Sequence, residues 1–193
     1  MHKKTLQNLK RKLDYHYKAF DISRLSPDPL EFLHNYSDFY NIELAGILAS
    51  TFAYGNVKQI INSLQKLFSL IGPNPHEFVL NFRYEKDKRY FENIKHRFYS
   101  ADDISLLFNG LSKVYNEYGS LNYLFVLYHF VEDETIKNSV ARFSNNLIDL
   151  CRYSDKPSHG IKFMFPDPYK GSACKRMNLF LRWMVRKDEL DFG

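Results

Sequence analysis

The sequence predicts an all-α protein, built as a compact, orthogonal multi-helix array. Apolar residues recur at steps of three and four along most of the 193 residues, which is the period of a helix. No run alternates apolar and polar residues for long enough to predict a strand. Eight glycines and seven prolines also leave little material for the many turns of a β sandwich or barrel. We therefore predict one all-helical domain over residues 1–193.

A proline-rich break separates the first two predicted helices. The apolar stripe of the first helix lies among basic residues and consists of Leu6, Leu9, Leu13, Tyr17 and Phe20. After the break, Asp28 can cap a short helix over residues 29–36. Pro29 favours this start, because the first helical position needs no N–H donor.

Cap residues predict the limits of the helices that follow. Ser37 or Asp38 opens an apolar helix that ends at Gly55, and the next apolar face ends at Gly72. The stretch 74–98 is charged and aromatic. Its expected inward anchors are Phe78, Phe82, Tyr90, Phe91, Ile94 and Phe98.

The second half of the chain continues the helical pattern. Ser100 and Asp103 have the spacing of a capping box, which opens a helix towards Gly119, and Ser120 opens the next. Another helix covers roughly residues 133–152. A long irregular loop at about 153–170 follows, and such loops in compact domains are usually functional or mobile. The last helix is expected to begin at residue 171 or 172.

Composition and motifs exclude several classes of protein. Two cysteines cannot supply a disulfide framework or a four-thiolate metal site, and they favour a reduced, cytoplasmic setting. The seven histidines lack metal-binding spacing, and no phosphate loop, dinucleotide motif or nucleophile signature occurs. The longest apolar run, residues 44–54, is too short to cross a membrane, and the N-terminus does not resemble a signal peptide. We expect no metal, no cofactor and no membrane partner.

Positive charge is concentrated near the end of the chain. Residues 156–187 include eight basic residues and a single acidic one, Asp167. On a helix, Lys175, Arg182 and Arg186 would lie within about 40° of one another. Lys175 and Arg182 have no acidic residue one turn away, so an external anion or a carboxylate from elsewhere in the fold should complete the row.

The residues before this helix predict an anion-binding site. Gly171 and Ser172 are small, so backbone N–H groups at a helix start could reach a phosphate, helped by Lys170 and Arg176. Lys175 could also act as an amine nucleophile on a sugar carbon. The alternative is a solvated basic face on a helix that only packs, and spacing alone does not decide between them.

Three blocks of the sequence resemble one bacterial family, domain of unknown function 2400. The blocks are DPLEFLHNYSD with ELAGILASTFAYG, then HRFYSADDISLLFNGLSKVYNEYGSL, then FPDPYKGSACKRMNLFLRWMVRKDELDFG. The resemblance extends from about residue 28 to residue 193. That family is itself similar to the helix-hairpin-helix DNA glycosylases, an all-α superfamily that includes the archaeal 8-oxoguanine glycosylases. The resemblance implies a fold of that type and a role in base-excision repair.

The resemblance also implies roles for residues near the last helix. PDPYKGSA would be the hairpin, with Gly171 at its tight position and its amides on a DNA phosphate. Lys175 would stand near the catalytic lysine, which attacks C1′ of a nucleotide turned out of the stack. Two departures from the superfamily pattern are visible. The hairpin has one glycine where Gly-x-Gly is usual. The superfamily's catalytic Asp follows this helix in a Leu-Asp-Thr-His-like segment, and the sequence up to Gly193 contains no such segment. We therefore expect a C-terminally truncated form of the fold, with impaired or no N-glycosylase and abasic-site lyase activity.

Two functions are consistent with these observations. The first is a DNA-binding protein that contacts the backbone independently of sequence, through Lys170 to Ser172, with further positive charge from Arg176, Arg182 and Arg186. The second is a non-catalytic helical interaction domain, whose basic last helix docks an acidic protein partner.

Overall fold

The computed structural model describes residues 3–19 and 21–193, and these residues contain ten α-helices and four 3-10 helices. The α-helices are α1 (Lys3–Ala19), α2 (Phe39–Phe52), α3 (Val57–Ile71), α4 (Pro75–Asn81), α5 (Tyr84–Asp87), α6 (Ala101–Tyr118), α7 (Leu121–Leu127), α8 (Lys137–Cys151), α9 (His159–Met164) and α10 (Lys175–Val185). The 3-10 helices are Ile22–Arg24, Pro29–Asn35, Lys88–Phe91 and Pro168–Lys170. No strand forms within these residues, so the all-α prediction is confirmed.

Polar side chains explain where several of the helices begin. The Asp38 carboxylate caps α2, and the Ser120 hydroxyl caps α7, as the sequence predicts. Ser100 and Asp103 form both bonds of the predicted capping box at α6. Each such cap stabilises a helix by about 1 kcal/mol, because it satisfies a backbone N–H without a helical partner. Asp28 also caps as expected, but the segment that it opens is a 3-10 helix.

Glycine ends two of the helices as predicted. Gly72 and Gly119 close α3 and α6 with φ of +80°, a backbone conformation that side chains disfavour. The end of α2 differs from the prediction. This helix ends at Phe52, and Gly55 lies beyond it in a separate turn with φ of +112°.

Two central helices, α2 and α6, organise the core. Helix α2 contacts α10, α3, α4 and the 3-10 helix Pro29–Asn35, whereas α6 contacts α8 and α9. Glycine permits the closest approaches. A Cβ on Gly46 would lie 3.3 Å from the Phe180 ring of α10, and one on Gly110 would lie 2.2 Å from Cys151 Sγ. The last helix is therefore held tightly against the core.

Some predicted anchors are not buried. Phe82, Phe91 and Ile94 are at most 3% exposed, but Tyr90 and Phe98 are 53% and 55% exposed. The leucines of the α1 stripe are exposed as well, and Phe20 lies outside the described residues. Period and residue type therefore identified the helices more reliably than they identified the buried side chains.

The prediction of an irregular loop at 153–170 is wrong in part. It contains helix α9 and the 3-10 helix Pro168–Lys170. Ser158 caps α9 by accepting a hydrogen bond from the Ile161 backbone N–H at 3.1 Å. Gly160 is buried against α6, where a side chain would collide with Asp103. A helix of six residues is too short for its period to be visible in the sequence.

Among the described residues, no helix has both the length and the apolar character that crossing a membrane requires. Within the same residues, no three His, Cys, Asp or Glu side chains are grouped as a metal site.

Candidate nucleic-acid interface

The last helix begins later than the sequence predicts. Its first residue is Lys175, not residue 171 or 172. Gly171 and Cys174 adopt left-handed backbone conformations, with φ of +80° and +47°, which a helix cannot include. Lys175 is therefore an exposed residue at the helix start and does not lie one turn inside it. Cys174 provides no side-chain cap, which leaves the first N–H groups of α10 without one.

A groove of about 430 Å³ lies beside this helix start, and we call it the α10 groove. Its lining comprises Ala53, Tyr54, Lys162, Phe163, Pro166, Ser172, Ala173, Cys174, Lys175 and Arg176. Of these residues, three are basic and none is acidic. The groove thus combines an apolar wall with positive charge, which suits an anion joined to a flat apolar group.

Arg176 holds the walls of the α10 groove together. Its guanidinium donates hydrogen bonds to the Tyr99 hydroxyl at 2.5 Å and to the Phe163 carbonyl. Its central carbon lies 4.4 Å from the Phe163 ring centroid and 5.6 Å from that of Tyr54. Burial raises the pKa of Tyr99 to about 12 despite this cation, so the phenol stays protonated and donates to the Thr51 carbonyl at 3.0 Å. The predicted DNA-binding Arg176 is therefore turned inward.

The other predicted residues on this side form an exposed turn. Gly171 follows the 3-10 helix Pro168–Lys170, and the side chain of Lys170 is 79% exposed. Its Nζ lies 3.8 Å from Oδ2 of Asp167, which is at the long end of the range for an ion pair. The Ser172 hydroxyl accepts a hydrogen bond from the Cys174 N–H at 3.1 Å. Lys170 and Lys175 thus keep accessible positive charge at the two ends of the turn.

Arg182 and Arg186 lie towards the opposite end of α10, about 10 Å and about 16 Å from Lys175 along the axis. Both pair with Asp191 Oδ2, from Nε of Arg182 at 3.1 Å and Nε of Arg186 at 3.4 Å. Arg186 also pairs with Asp188. The sequence predicted that an external anion or a carboxylate from elsewhere in the fold would pair with this row of cations. For Arg182 and Arg186 the structure shows a carboxylate. The predicted site residues therefore divide into two separate groups.

An aromatic–cation cluster extends the α10 groove and was not located from the sequence. It consists of Tyr54, Phe98, Phe163, Arg97 and Arg176. Tyr54 is 38% exposed and Phe98 55% exposed, whereas most of the other large aromatic residues pack into the core. The excess of Phe and Tyr in the composition was the only signal, and it indicates no positions.

Phe98 lies in a tight turn that is closed by the backbones of His96 and Tyr99. The backbones of His96 and Tyr99 exchange hydrogen bonds of 3.2 Å and 2.8 Å. His96 is buried, and its Nδ1 lies 3.0 Å from the Ser63 hydroxyl. Burial lowers the pKa of the His96 imidazole, which therefore stays neutral at pH 7. The turn consequently rests on a packed, uncharged side chain.

Asp103 joins α6 to α9, the helix whose Lys162 and Phe163 line the α10 groove. One of its oxygens accepts hydrogen bonds from the Ser100 N–H at 2.8 Å and the Ser100 hydroxyl at 2.7 Å. The other accepts from the Ser158 hydroxyl at 2.5 Å. Because Ser158 caps α9, this carboxylate fixes the helix that carries Lys162 and Phe163.

Searches of curated proteins and of solved structures gave no match to this chain. A protein-family model matches residues 28–193. The matched range contains the whole α10 groove and the aromatic–cation cluster, and it excludes α1. Since the match spans most of the sequence, the chain belongs to the family described as Protein of unknown function (DUF2400).

Proposed function

We propose that this protein binds DNA through the phosphate backbone at the α10 groove, as a protein similar to the helix-hairpin-helix DNA glycosylases. The observation that carries the proposal is the charge of the groove lining, which has three basic residues and no acidic one among those described. Lys162 and Lys175 lie on α9 and at the start of α10, and Lys170 is exposed on the adjoining turn. Phosphate contacts of this kind do not depend on base sequence.

The two arginines at the far end of α10 support the proposal less. Arg182 and Arg186 share their charge with Asp188 and Asp191 of the same chain, so they attract an external phosphate less strongly. The same pairing weakens the alternative function, in which the basic face of the last helix docks an acidic protein.

Replacing Lys175 with Glu should weaken DNA binding and reduce its dependence on salt. If Lys162, Lys170 and Lys175 each neutralise one phosphate, the logarithm of the association constant should fall with the logarithm of salt with a slope of about −2 to −3 on duplex DNA. Lys175→Glu should make this slope less steep by about 1, because one counterion-releasing contact is lost. Fluorescence anisotropy over a salt series measures both quantities.

Lys86→Glu provides the matched control, because Lys86 is an exposed lysine on α5 outside the groove. It makes the same change in net charge as Lys175→Glu. Equal losses in the two variants would mean that only net charge matters, and no binding at low salt would refute the proposal.

A catalytic role for Lys175 follows from the resemblance to the glycosylases. In such a step, the Lys175 amine would condense with the C1′ aldehyde of an abasic site, releasing water and forming an imine. Lys175 lines the α10 groove, so a sugar beside a phosphate bound there could reach its amine.

Borohydride trapping on an abasic duplex tests this step, because borohydride reduces the imine to a stable secondary amine. We expect any covalent adduct to disappear in Lys175→Ala and to persist in Lys86→Ala. An adduct that survives Lys175→Ala would exclude this lysine as the nucleophile.

A further inference from the structure

We propose that the preferred ligand of the α10 groove is single-stranded nucleic acid, whose unpaired bases stack on the aromatic–cation cluster. This inference rests on the proposed function and narrows its substrate class. A positively charged groove flanked by accessible aromatic rings is the usual arrangement by which proteins hold single strands without sequence preference.

The first argument is the position of the exposed rings. The Tyr54 and Phe98 ring centroids are 6.1 Å apart, and Phe163 lies 5.1 Å from the first and 5.4 Å from the second. Phe98, which is 55% exposed, therefore lies in a patch with two other rings. Phe163 is nearly perpendicular to the other two rings, so a nucleobase would stack on the exposed Phe98 ring, which would remove apolar surface from water.

The second argument is that the patch is held in place before a ligand arrives. Phe98 is on the turn closed by the His96 and Tyr99 backbones. Arg97 has φ of +56°, and Gly55 packs so closely that a Cβ there would lie 3.3 Å from the Arg97 side chain. A pre-formed patch loses little side-chain freedom when a base stacks on it, which favours binding.

The third argument is that positive charge lies against the rings and in two neighbouring grooves. The Arg97 guanidinium carbon is 5.2 Å from the Tyr54 centroid and 5.9 Å from that of Phe98. Beyond this turn, Lys95 and Arg97 line a second groove, while Lys162 and Lys175 line the α10 groove. A single strand could thus place phosphates in these grooves and a base on the rings. In a paired duplex the base faces are already stacked, so only the cations could be used.

Anisotropy with labelled DNA tests this inference. The probes are a single strand of about 12 nucleotides, within the usual site size of such proteins, and the duplex of the same sequence. We expect the strand to bind at least about tenfold more tightly than the duplex, since one stacked base contributes roughly that factor. Phe98→Ala should weaken single-strand binding about tenfold and leave duplex binding within about twofold. Phe98→Trp keeps an aromatic ring, so it should bind the single strand about as tightly as the original protein.

Tyr90→Ala is the control, because Tyr90 is an equally exposed aromatic residue in a different groove. Circular dichroism of each variant establishes that the fold is retained. Equal affinity for strand and duplex, or equal losses on both with Phe98→Ala, would overturn this inference and leave the proposed function standing. An absence of binding to either probe would overturn the proposed function itself.

Discussion

Gly160→Ala is expected to lower the free energy of unfolding by about 3 kcal/mol and to disrupt the α10 groove. A Cβ at this position would lie 2.3 Å from Asp103 Cγ and 2.4 Å from Asp103 Oδ2. The carboxylate cannot withdraw without losing its hydrogen bonds from Ser100 and Ser158. We therefore expect α9 to shift, and with it Lys162 and Phe163. Urea denaturation followed by circular dichroism measures the loss.

Gly119→Ala is the matched control for this substitution. Gly119 has φ of +80°, but a Cβ there would meet nothing within 4 Å. The control should cost only the backbone strain of a left-handed residue, about 1–2 kcal/mol. If the two variants were equally stable, the close contact between α9 and Asp103 would not be important for the fold.

Arg176→Lys is expected to reduce both stability and nucleic-acid affinity although it keeps the positive charge. A lysine ammonium cannot reproduce the planar guanidinium, which bonds to the Tyr99 hydroxyl and the Phe163 carbonyl and lies over the Phe163 ring. We expect a loss of about 2 kcal/mol in the free energy of unfolding, typical of a hydrogen-bonded charged group. Thermal and urea denaturation, with anisotropy on DNA, measure the two effects.

Lys175→Arg is the control, because it exchanges the same two residue types at an exposed position. Its stability should stay within about 0.5 kcal/mol of the original protein. If Arg176→Lys were equally harmless, Arg176 would act only through its charge, and the inward-turned geometry would not matter for the groove.

Local signals in the sequence predicted much of the fold. The Ser100 and Asp103 capping box, the Ser120 cap and the glycines that end α3 and α6 all act within a few residues, so they can be recognised without tertiary structure. One short helix was missed. Helix α9 has six residues, and neither its period nor its contact with Asp103 is visible in the sequence.

Prediction of the candidate site from sequence was less complete. The concentration of basic residues at 156–187 drew attention to the segment that contains Lys175, and Lys175 does line the α10 groove. Arg176 lines the same groove, but its guanidinium is bonded to Tyr99 and Phe163. Arg182 and Arg186 are paired with Asp191. Arg176 meets Tyr99 from a distant part of the chain. Asp191 is only nine and five residues beyond the two arginines, and it reaches them because the chain folds back against the end of α10.

The sequence by itself determined the all-α class, several helix limits and the location of the positive charge, because these properties follow from residue type, spacing and local capping. The tertiary structure decided which cations remain accessible and which aromatic rings are exposed. Phe98 illustrates the difference. Phenylalanine is typical of a core, but the turn between His96 and Tyr99 places this one on the surface beside Tyr54. Burial and charge pairing are properties of the packed chain, so they are settled only when the helices come together.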